Sequence, residues 1–481
     1  MSIFFGNLLS RQLMTTMATP LVGAALLAGC ANPSGIAPQA ELRTPQSMGA
    51  SDGASANWLH NDWWRAYGDP ALNQLIEQAL QSSPSVRVTQ ARLGSAMAQA
   101  QAAGAALMPQ VGAELSSTRE RLSEHYIYPP SLAGHMVSDN LLRVGASWEL
   151  DLWGRDHAAL QAAVGTQRAA EADLAAARWY LSTQIAKTYV QLARLQDLRD
   201  VGQATLKQRE QTHDLVGDRV KAGLDTQVEL RQSEGALPQT RQEIEAIDEQ
   251  IALTRHTLAL LVGSSPQSMD GLTPRLQALS SVEPPAVIPA DLIGRRPDIV
   301  GARWRVEASL KGVEAARAAF YPNVNLAAFV GFHSLGAEHF LSGGSREFGV
   351  TPAVSLPIFE GGRLRAQLRG RAADADAAIE TYNFILASAV RDVADSMASQ
   401  QSLRKQSAEQ QLAQAAAEGA YDLALTRYRA GLGTYLTVLS AETAVLNQRR
   451  QAAELKAREL DLQIGLVRAL GGGYVAETST Q

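Results

Sequence analysis

The sequence predicts an α+β membrane protein made of two tandem structural repeats, each with two transmembrane β-strands and two long α-helices. Three observations carry that reading. Motifs and intervals recur between the two halves of the 481-residue chain. Two segments alternate apolar and polar residues with period two, and two more, 322–332 and 109–117, do so less cleanly. Around them run stretches rich in Ala, Gln, Arg, Glu and Leu, the composition of long, closely packed helices. Lys and Arg total 43 against 48 Asp and Glu, a net charge of −5, so no basic surplus points to nucleic acid. The single cysteine excludes an intramolecular disulfide and any cysteine-cluster metal site. After residue 30 no run approaches the roughly 18 apolar residues of a membrane-spanning helix, so any crossing is made by strands.

The first thirty residues read as an export segment. Arg11 supplies a thin positive start, Leu13 to Ala28 is mostly apolar, and Leu27-Ala28-Gly29-Cys30 follows. Small residues before a cut suit a signal peptidase, and a cysteine directly after them resembles the bacterial lipoprotein box. Residues 1–29 are therefore expected to be a signal peptide and 30–57 an acylated linker. Cys30 would carry an N-palmitoyl group and an S-diacylglycerol; no other cofactor is expected. Ala31, where an Asp would retain the lipoprotein at the inner membrane, implies the outer membrane. Acyl chains add about 0.8 kcal/mol per buried CH₂, so several chains anchor stably.

Two repeats organise the rest: residues 58–263 and 297–472, joined by a connector at 264–296 and followed by a tail at 473–481. Pro84 to Pro109 and Pro297 to Pro322 each span 25 positions. Leu150-Asp-Leu-Trp-Gly-Arg155 corresponds to Leu356-Pro-Ile-Phe-Glu-Gly-Gly-Arg363. Arg219-Val-Lys-Ala-Gly-Leu-Asp-Thr226 corresponds to Arg427-Tyr-Arg-Ala-Gly-Leu-Gly-Thr434. Both intervals from Arg155 to Arg219 and from Arg363 to Arg427 are 64 positions. Chance does not conserve such spacings.

Each repeat opens with a helix of about 24 residues that ends at a proline. Two strands follow. Val144, Ala146, Trp148, Leu150 and Leu152 share one face, opposite Arg143, Gly145, Ser147, Glu149 and Asp151. Phe348, Val350, Pro352, Val354, Leu356 and Ile358 repeat the pattern. Residues 322–332 and 109–117 supply the other two strands. Each is about 10 residues, enough to cross a bilayer when tilted. Four strands cannot close a barrel, and lone edges in lipid leave backbone groups unsatisfied. Several chains must share one barrel, and a homotrimer gives 12 strands. Residues 155–218 contain no proline and extend about 96 Å as a helix; 226–262 and 297–320 cover about 55 and 36 Å. Stripes at Ile244, Ile247, Ile251, Leu258 and Leu261, and at Ala453, Ala457, Leu460, Ile464 and Val467, suit close helix packing.

These motifs resemble the outer-membrane factor family, the TolC/OprM-like exit ducts, and its NodT-type lipoprotein branch. The supporting stretches are Trp63-Trp64-Arg-Ala-Tyr-Gly-Asp69-Pro70-Ala-Leu72, Asp151-Leu-Trp-Gly-Arg155, Arg295-Arg-Pro-Asp-Ile299, Ala318-Ala-Phe-Tyr-Pro322, Pro357-Ile-Phe-Glu-Gly-Gly-Arg363 and the two Arg-x-x-Ala-Gly-Leu turns. The resemblance implies a trimer, a 12-stranded barrel continued by a periplasmic helical tunnel, a periplasmic adaptor and an inner-membrane efflux pump. It implies passive conduction of small toxic compounds across the outer membrane. Gly223, Leu224, Gly431 and Leu432 would form the adaptor-contact turns. Gate residues fall at Glu229 and Tyr428, and at Thr437 and Ser440 where relatives often carry aspartates. Glu229 equally suits a solvated helix face. Glu149 and Asp151 are candidates for the lumen, and Asp151 equally suits a helix cap.

No His-Glu-x-x-His, Walker loop or Gly-x-Ser-x-Gly elbow is present, so no enzyme is expected. No metal site is expected either. His125 and His135 fall in the first predicted surface loop, and His333 and His339 in or beside the second. The competing readings are the outer-membrane duct of a type I protein secretion system and a non-conducting envelope protein. If Cys30 is acylated, Cys30→Ala abolishes incorporation of labelled palmitate into the protein in growing cells.

Overall fold

The structure, a computed structural model, describes residues 32–48, 62–281, 293–471 and 474. Cys30, the signal segment and most of the tail lie outside the described residues. The main elements are α1 (Pro70–Ser82), α2 (Pro84–Ala105), β1 (Gln110–Arg121), β2 (Met136–Leu150), α3 (Arg155–Lys221), α4 (Gln227–Val262), α5 (Pro297–Ala318), β3 (Asn323–Leu335), β4 (Arg346–Ser355), α6 (Arg363–Arg429) and α7 (Tyr435–Leu470). The internal repeat is exact in length for the helices: α2 and α5 have 22 residues, α3 and α6 have 67, and α4 and α7 have 36. Strand ends differ from expectation. β1 and β3 are longer, so His333 sits inside β3, and β4 stops at Ser355, before Leu356 and Ile358.

The chain divides into two compact units. The first comprises residues up to Leu42, Leu93–Ala170 and Ala302–Tyr382. It holds one antiparallel sheet in the order β1-β2-β3-β4, with β1 and β4 at its edges. The register pairs Val144 with Val330 and Val330 with Phe348, and Trp148 with Leu326 and Leu326 with Pro352. Period two then gathers Val111, Leu115, Val144, Trp148, Leu326, Val330, Phe348, Val350 and Val354 on one face. All of these are exposed. Pro352 lies on the edge strand β4, where a missing N–H is tolerated.

Aromatic rings tie the strands to the helices. The Trp153 ring stacks on Tyr321 at 4.9 Å and its Nε1 donates to the Pro322 carbonyl at 2.8 Å. Trp148 Nε1 donates to the Leu107 carbonyl at 3.0 Å. A strap of residues 32–42 runs beside α6. Arg365 binds the Asn32 carbonyl, Ile36 is buried with Val313, Phe320, Leu368 and Ala372, and the Gln39 and Ala40 amides donate to Asp376 at 2.6 and 2.8 Å.

The second unit comprises Arg43–Arg92, Glu171–Gly301 and the chain from Asn383. Its largest core gathers Trp63, Trp64 and Tyr67, α1, residues 181–195 of α3, the end of α4, and Leu276 and Leu279 from the connector. Ala457, Leu460, Ile464 and Val467 of the expected α7 stripe join it. The motif at 63–72 has a local physical cause. Asp69 caps α1 by accepting from the Ala71 and Leu72 amides at 2.8 and 3.2 Å, Pro70 occupies the first helical position, and Tyr189 donates to the second Asp69 oxygen at 2.8 Å. Arg296 donates to the Ala469 carbonyl at 2.9 Å, placing a cation on the C-terminal end of α7.

Gly331 of β3 leaves no room for a side chain, because a Cβ there would run into the Leu142 carbonyl and the Arg143 Cα on β2. Gly331→Ala is expected to cost roughly 1–3 kcal/mol, the usual scale of overpacking. It should lower the thermal midpoint of the purified protein relative to an exposed-glycine control such as Gly112→Ala.

Candidate functional site

Two places collect the chemistry-bearing side chains. The first is the polar face of the sheet. Arg143 on β2 pairs with Glu347 on β4 at 2.6 Å and stacks over the Phe329 ring at 4.5 Å. His333 on β3 lies 2.8 Å from Asp139 and 3.7 Å from Glu347. Glu149 stays on this face and pairs with Arg155 of α3. Asp151 lies beyond β2 and accepts from the His157 amide at 2.8 Å and from His157 Nδ1 at 2.7 Å. Of the two roles open to Asp151, these bonds satisfy the cap, because the first amides of a helix lack intrahelical acceptors.

The second place is the pair of turns joining α3 to α4 and α6 to α7. Lys221 and Arg429 end helices that would otherwise continue. Gly223 and Gly431 end them by adopting φ of 75° and 73°, which a side chain disfavours. Leu224 N donates to the Arg219 carbonyl at 2.9 Å and Gly223 N to Val220 at 3.0 Å, and Leu432 N donates to Arg427 at 2.8 Å and Gly431 N to Tyr428 at 3.0 Å, the paired closing bonds of a Schellman turn in each case. Leu224 and Leu432 are 65% and 70% exposed, and Val228 and Leu436, one helical turn on, are exposed as well. Each turn thus presents two uncovered apolar side chains.

The turns differ in their acids. Thr226 and Glu229 form a capping box on α4: the Thr226 amide donates to Glu229 at 2.9 Å and Val228 N donates to the Thr226 hydroxyl at 3.2 Å. Hydrogen bonds from Thr226 hold the Glu229 carboxyl below its ordinary range. Thr437 is the matching position in the second repeat. It cannot reach back to an amide as Glu does, and its hydroxyl instead meets that of Thr434 at 3.0 Å. Ser440 is exposed on α7.

Tyr428 is fully buried. Its hydroxyl donates to Asp225, and the Arg219 guanidinium sits 4.5 Å over its ring. Arg219 Nε and Nη2 grip the two Asp225 oxygens at 2.8 and 3.2 Å, and Nη1 donates to the Tyr428 carbonyl at 3.0 Å. Tyr435 packs beside Tyr428 with ring centroids 6.1 Å apart. Arg219 and Asp225 from the first hairpin therefore clasp Tyr428 of the second. Asp225 and Arg219 were visible in the turn motif but carried no assigned role. The available signal was a break in the repeat: Gly433 stands where Asp225 does in the first half.

The latch has a defined pH window. The Arg219 bond first, then the Tyr428 bond, holds the Asp225 carboxyl below its ordinary range. Its contribution is complete above the ordinary carboxylate pKa and is lost as pH falls through the lowered value. Burial, helped by Asp225, pushes the Tyr428 hydroxyl up, so it stays a donor through neutral pH.

A family model for outer membrane efflux proteins matches residues 75–264 and 288–472. The chain belongs to the outer membrane efflux protein family. It is 38% identical to the fusaric acid resistance protein FusA of Burkholderia cepacia, covering 73% of this chain and 68% of that protein. It is 33% identical to the multidrug resistance outer membrane protein MdtP of Escherichia coli K12, covering 98% and 99%. The crystal structure of the outer membrane protein VceC of Vibrio cholerae superposes with a TM-score of 0.83 at 36% identity, covering 87% of this chain and all of that one. The protein is an outer-membrane efflux duct with a large periplasmic helical part, and its family consists of channels rather than enzymes.

Asp225→Asn removes the anion that Arg219 and Tyr428 hold. It is expected to lower the thermal midpoint of the purified protein at pH 7, by the equivalent of about 1.5–3 kcal/mol for hydrogen bonds lost to a charged group. The difference from wild type should shrink as pH falls below the ordinary carboxylate range. Thermal melts from pH 3 to 8 check both.

Proposed function

We propose that three copies of the chain share one 12-stranded barrel, continued by a helical tunnel whose mouth is closed by the Arg219–Asp225–Tyr428 latch. The observation that carries this reading is the sheet itself. One face is apolar and uncovered, the other carries paired charges, and β1 and β4 end in unpaired edges. Such a sheet is stable in lipid only when further strands complete it. Glu149 lines the passage where the barrel meets the tunnel, and Asp151 holds the helix that starts there. Gly223, Leu224, Gly431 and Leu432 offer the apolar contact for a periplasmic adaptor. An inner-membrane pump supplies the energy, and conduction through the duct is passive.

Cys30 carries the lipid. In support, the strap brings the chain to the first turn of α6, where Arg365 binds Asn32, two residues after Cys30. The cargo is small toxic compounds, aromatic ones among them. The relatives are named for fusaric acid resistance and multidrug resistance, and a third, OpmQ of Pseudomonas aeruginosa, 30% identical, for pyoverdine export.

Deleting the chromosomal copy should sensitise cells to members of a panel of dyes, detergents, antibiotics and aromatic acids. A wild-type plasmid should restore growth, and a copy carrying Leu224→Asp and Leu432→Asp should not, although it reaches the outer membrane. Normal growth of the deletion strain on the whole panel, with a changed set of secreted proteins, would replace efflux by protein secretion.

A further inference from the structure

Ten residues before Arg219 on α3, nearly three helical turns away, a second polar contact joins the two hairpins. Arg209 Nε donates to Glu442 on α7 at 3.1 Å. Its Nη1 donates to the Thr240 hydroxyl at 2.8 Å and to the Ala236 carbonyl at 3.3 Å, both on α4. Gln208 Nε2 reaches the other Glu442 oxygen at 3.4 Å. Glu442 is 6% exposed, and Arg209 is almost as well covered. Burial pushes the Glu442 carboxyl above its ordinary range and Arg209 pulls it down, so its charge depends on that guanidinium.

The α4 segment that Arg209 grips contains Pro238. Proline has no N–H and interrupts the helical ladder, so this is where α4 bends most readily. The repeat does not reproduce this arrangement. At the offset of 208 positions that relates the two turns, Ala417 stands for Arg209 and Leu446 for Pro238. The acid Glu442 does have a counterpart, Glu234, but that residue pairs with Arg231 on the surface. An interaction required merely by the repeated fold would occur twice.

We propose that Arg209 and Glu442 are gate-positioning residues. Their buried pair fastens α3 and the proline-interrupted α4 to α7, and so holds Tyr428 against Asp225 at the turns. Turns at the end of long helices open locally at little cost. A brace higher up makes separation of the hairpins concerted: the tip opens fully only when α4 moves about Pro238 and Arg209 lets go. The role is distinct from the latch, because neither residue touches Arg219, Asp225 or Tyr428 through a hydrogen bond.

The proposal rests on the reading of the turns as the gate of a conducting duct, and the experiment separates the two. Conductance of the purified full chain is recorded in planar bilayers for Arg209→Met, Glu442→Met, the double Met variant, Asp225→Asn and Leu258→Ala. Leu258 belongs to the other core and touches neither hairpin contact. Thermal midpoints are measured on the same samples. Glu442→Met leaves the Arg209 cation without its acid, and Arg209→Met leaves the covered Glu442 carboxyl without the guanidinium that keeps it charged; each is expected to conduct several-fold more than wild type with the latch residues intact. The double variant replaces the pair by apolar side chains of similar volume, which is often neutral, and is expected to return toward wild-type conductance. Leu258→Ala is expected to lose stability and stay closed. Single variants that conduct as the wild type while Asp225→Asn opens would overturn the brace and leave the latch standing. So would a Leu258→Ala protein that opens as far as they do at a matched loss of stability. Silence of Asp225→Asn together with the Met variants would overturn the brace and the gated duct alike.

Discussion

A backbone N–H or C=O left without a partner in hydrocarbon costs several kcal/mol, and the rest of this protein is arranged around that penalty. Among the described residues one chain supplies four strands, with β1 and β4 at the edges. Its apolar side chains, Phe348 at 84% exposure among them, face away from any protein core. The proposed sharing of one barrel by several copies answers that penalty. It also explains where the charges are. The strand period puts Arg143, Glu347, His333 and Asp139 on the face opposite the apolar one, which leaves the apolar face free of charge for the proposed contact with lipid.

The repeat solves the architectural problem twice and leaves the chemistry to its exceptions. Helix lengths are identical between the halves, as closely packed columns demand. Three of the residues that couple the hairpins break the repeat. Asp225 faces Gly433 in the internal alignment, Tyr428 faces Val220, and Arg209 faces Ala417. A hairpin that had to clasp a copy of itself would need the acid and the aromatic ring on both sides. Dividing them between the halves makes the contact one-directional, from the first hairpin to the second.

Stability is distributed unevenly, and the distribution suits a gated passage. The large core around Trp63, Tyr67, Ile76 and Leu258 binds the middle of α3 to α1, α4 and α7 through apolar burial, which has no preferred geometry to lose. Near the turns the core is smaller and more polar. Tyr421, Tyr428 and Tyr435 are its large side chains, and the specific contacts are ionic or hydrogen-bonded. Contacts of that kind are sensitive to distance and angle, so they can be undone by a modest displacement while the middle of the bundle remains packed.

Much of the fold was legible because it rests on local, periodic rules. Proline positions bounded α2 and α5, glycines marked both turns, alternation in β2 and β4 sorted the faces, and conserved intervals revealed the two halves. Asp69-Pro70 and Thr226 with Glu229 are caps whose partners lie within three residues. Strand ends were less clear, since β3 reaches Leu335 only through pairing with Asp139 across the sheet. The candidate site was legible in part. Tyr428 and the turn glycines stood out in sequence, whereas Asp225–Tyr428 and Arg209–Glu442 join residues more than 200 positions apart. The sequence alone determined which segments are helices, turns and strands, because those choices depend on neighbours within a turn or a strand. Which groups of one hairpin meet which groups of the other, Asp225 with Tyr428 and Arg209 with Glu442, was decided by tertiary structure, because only packing of one hairpin against the other sets distances between groups so far apart in the chain.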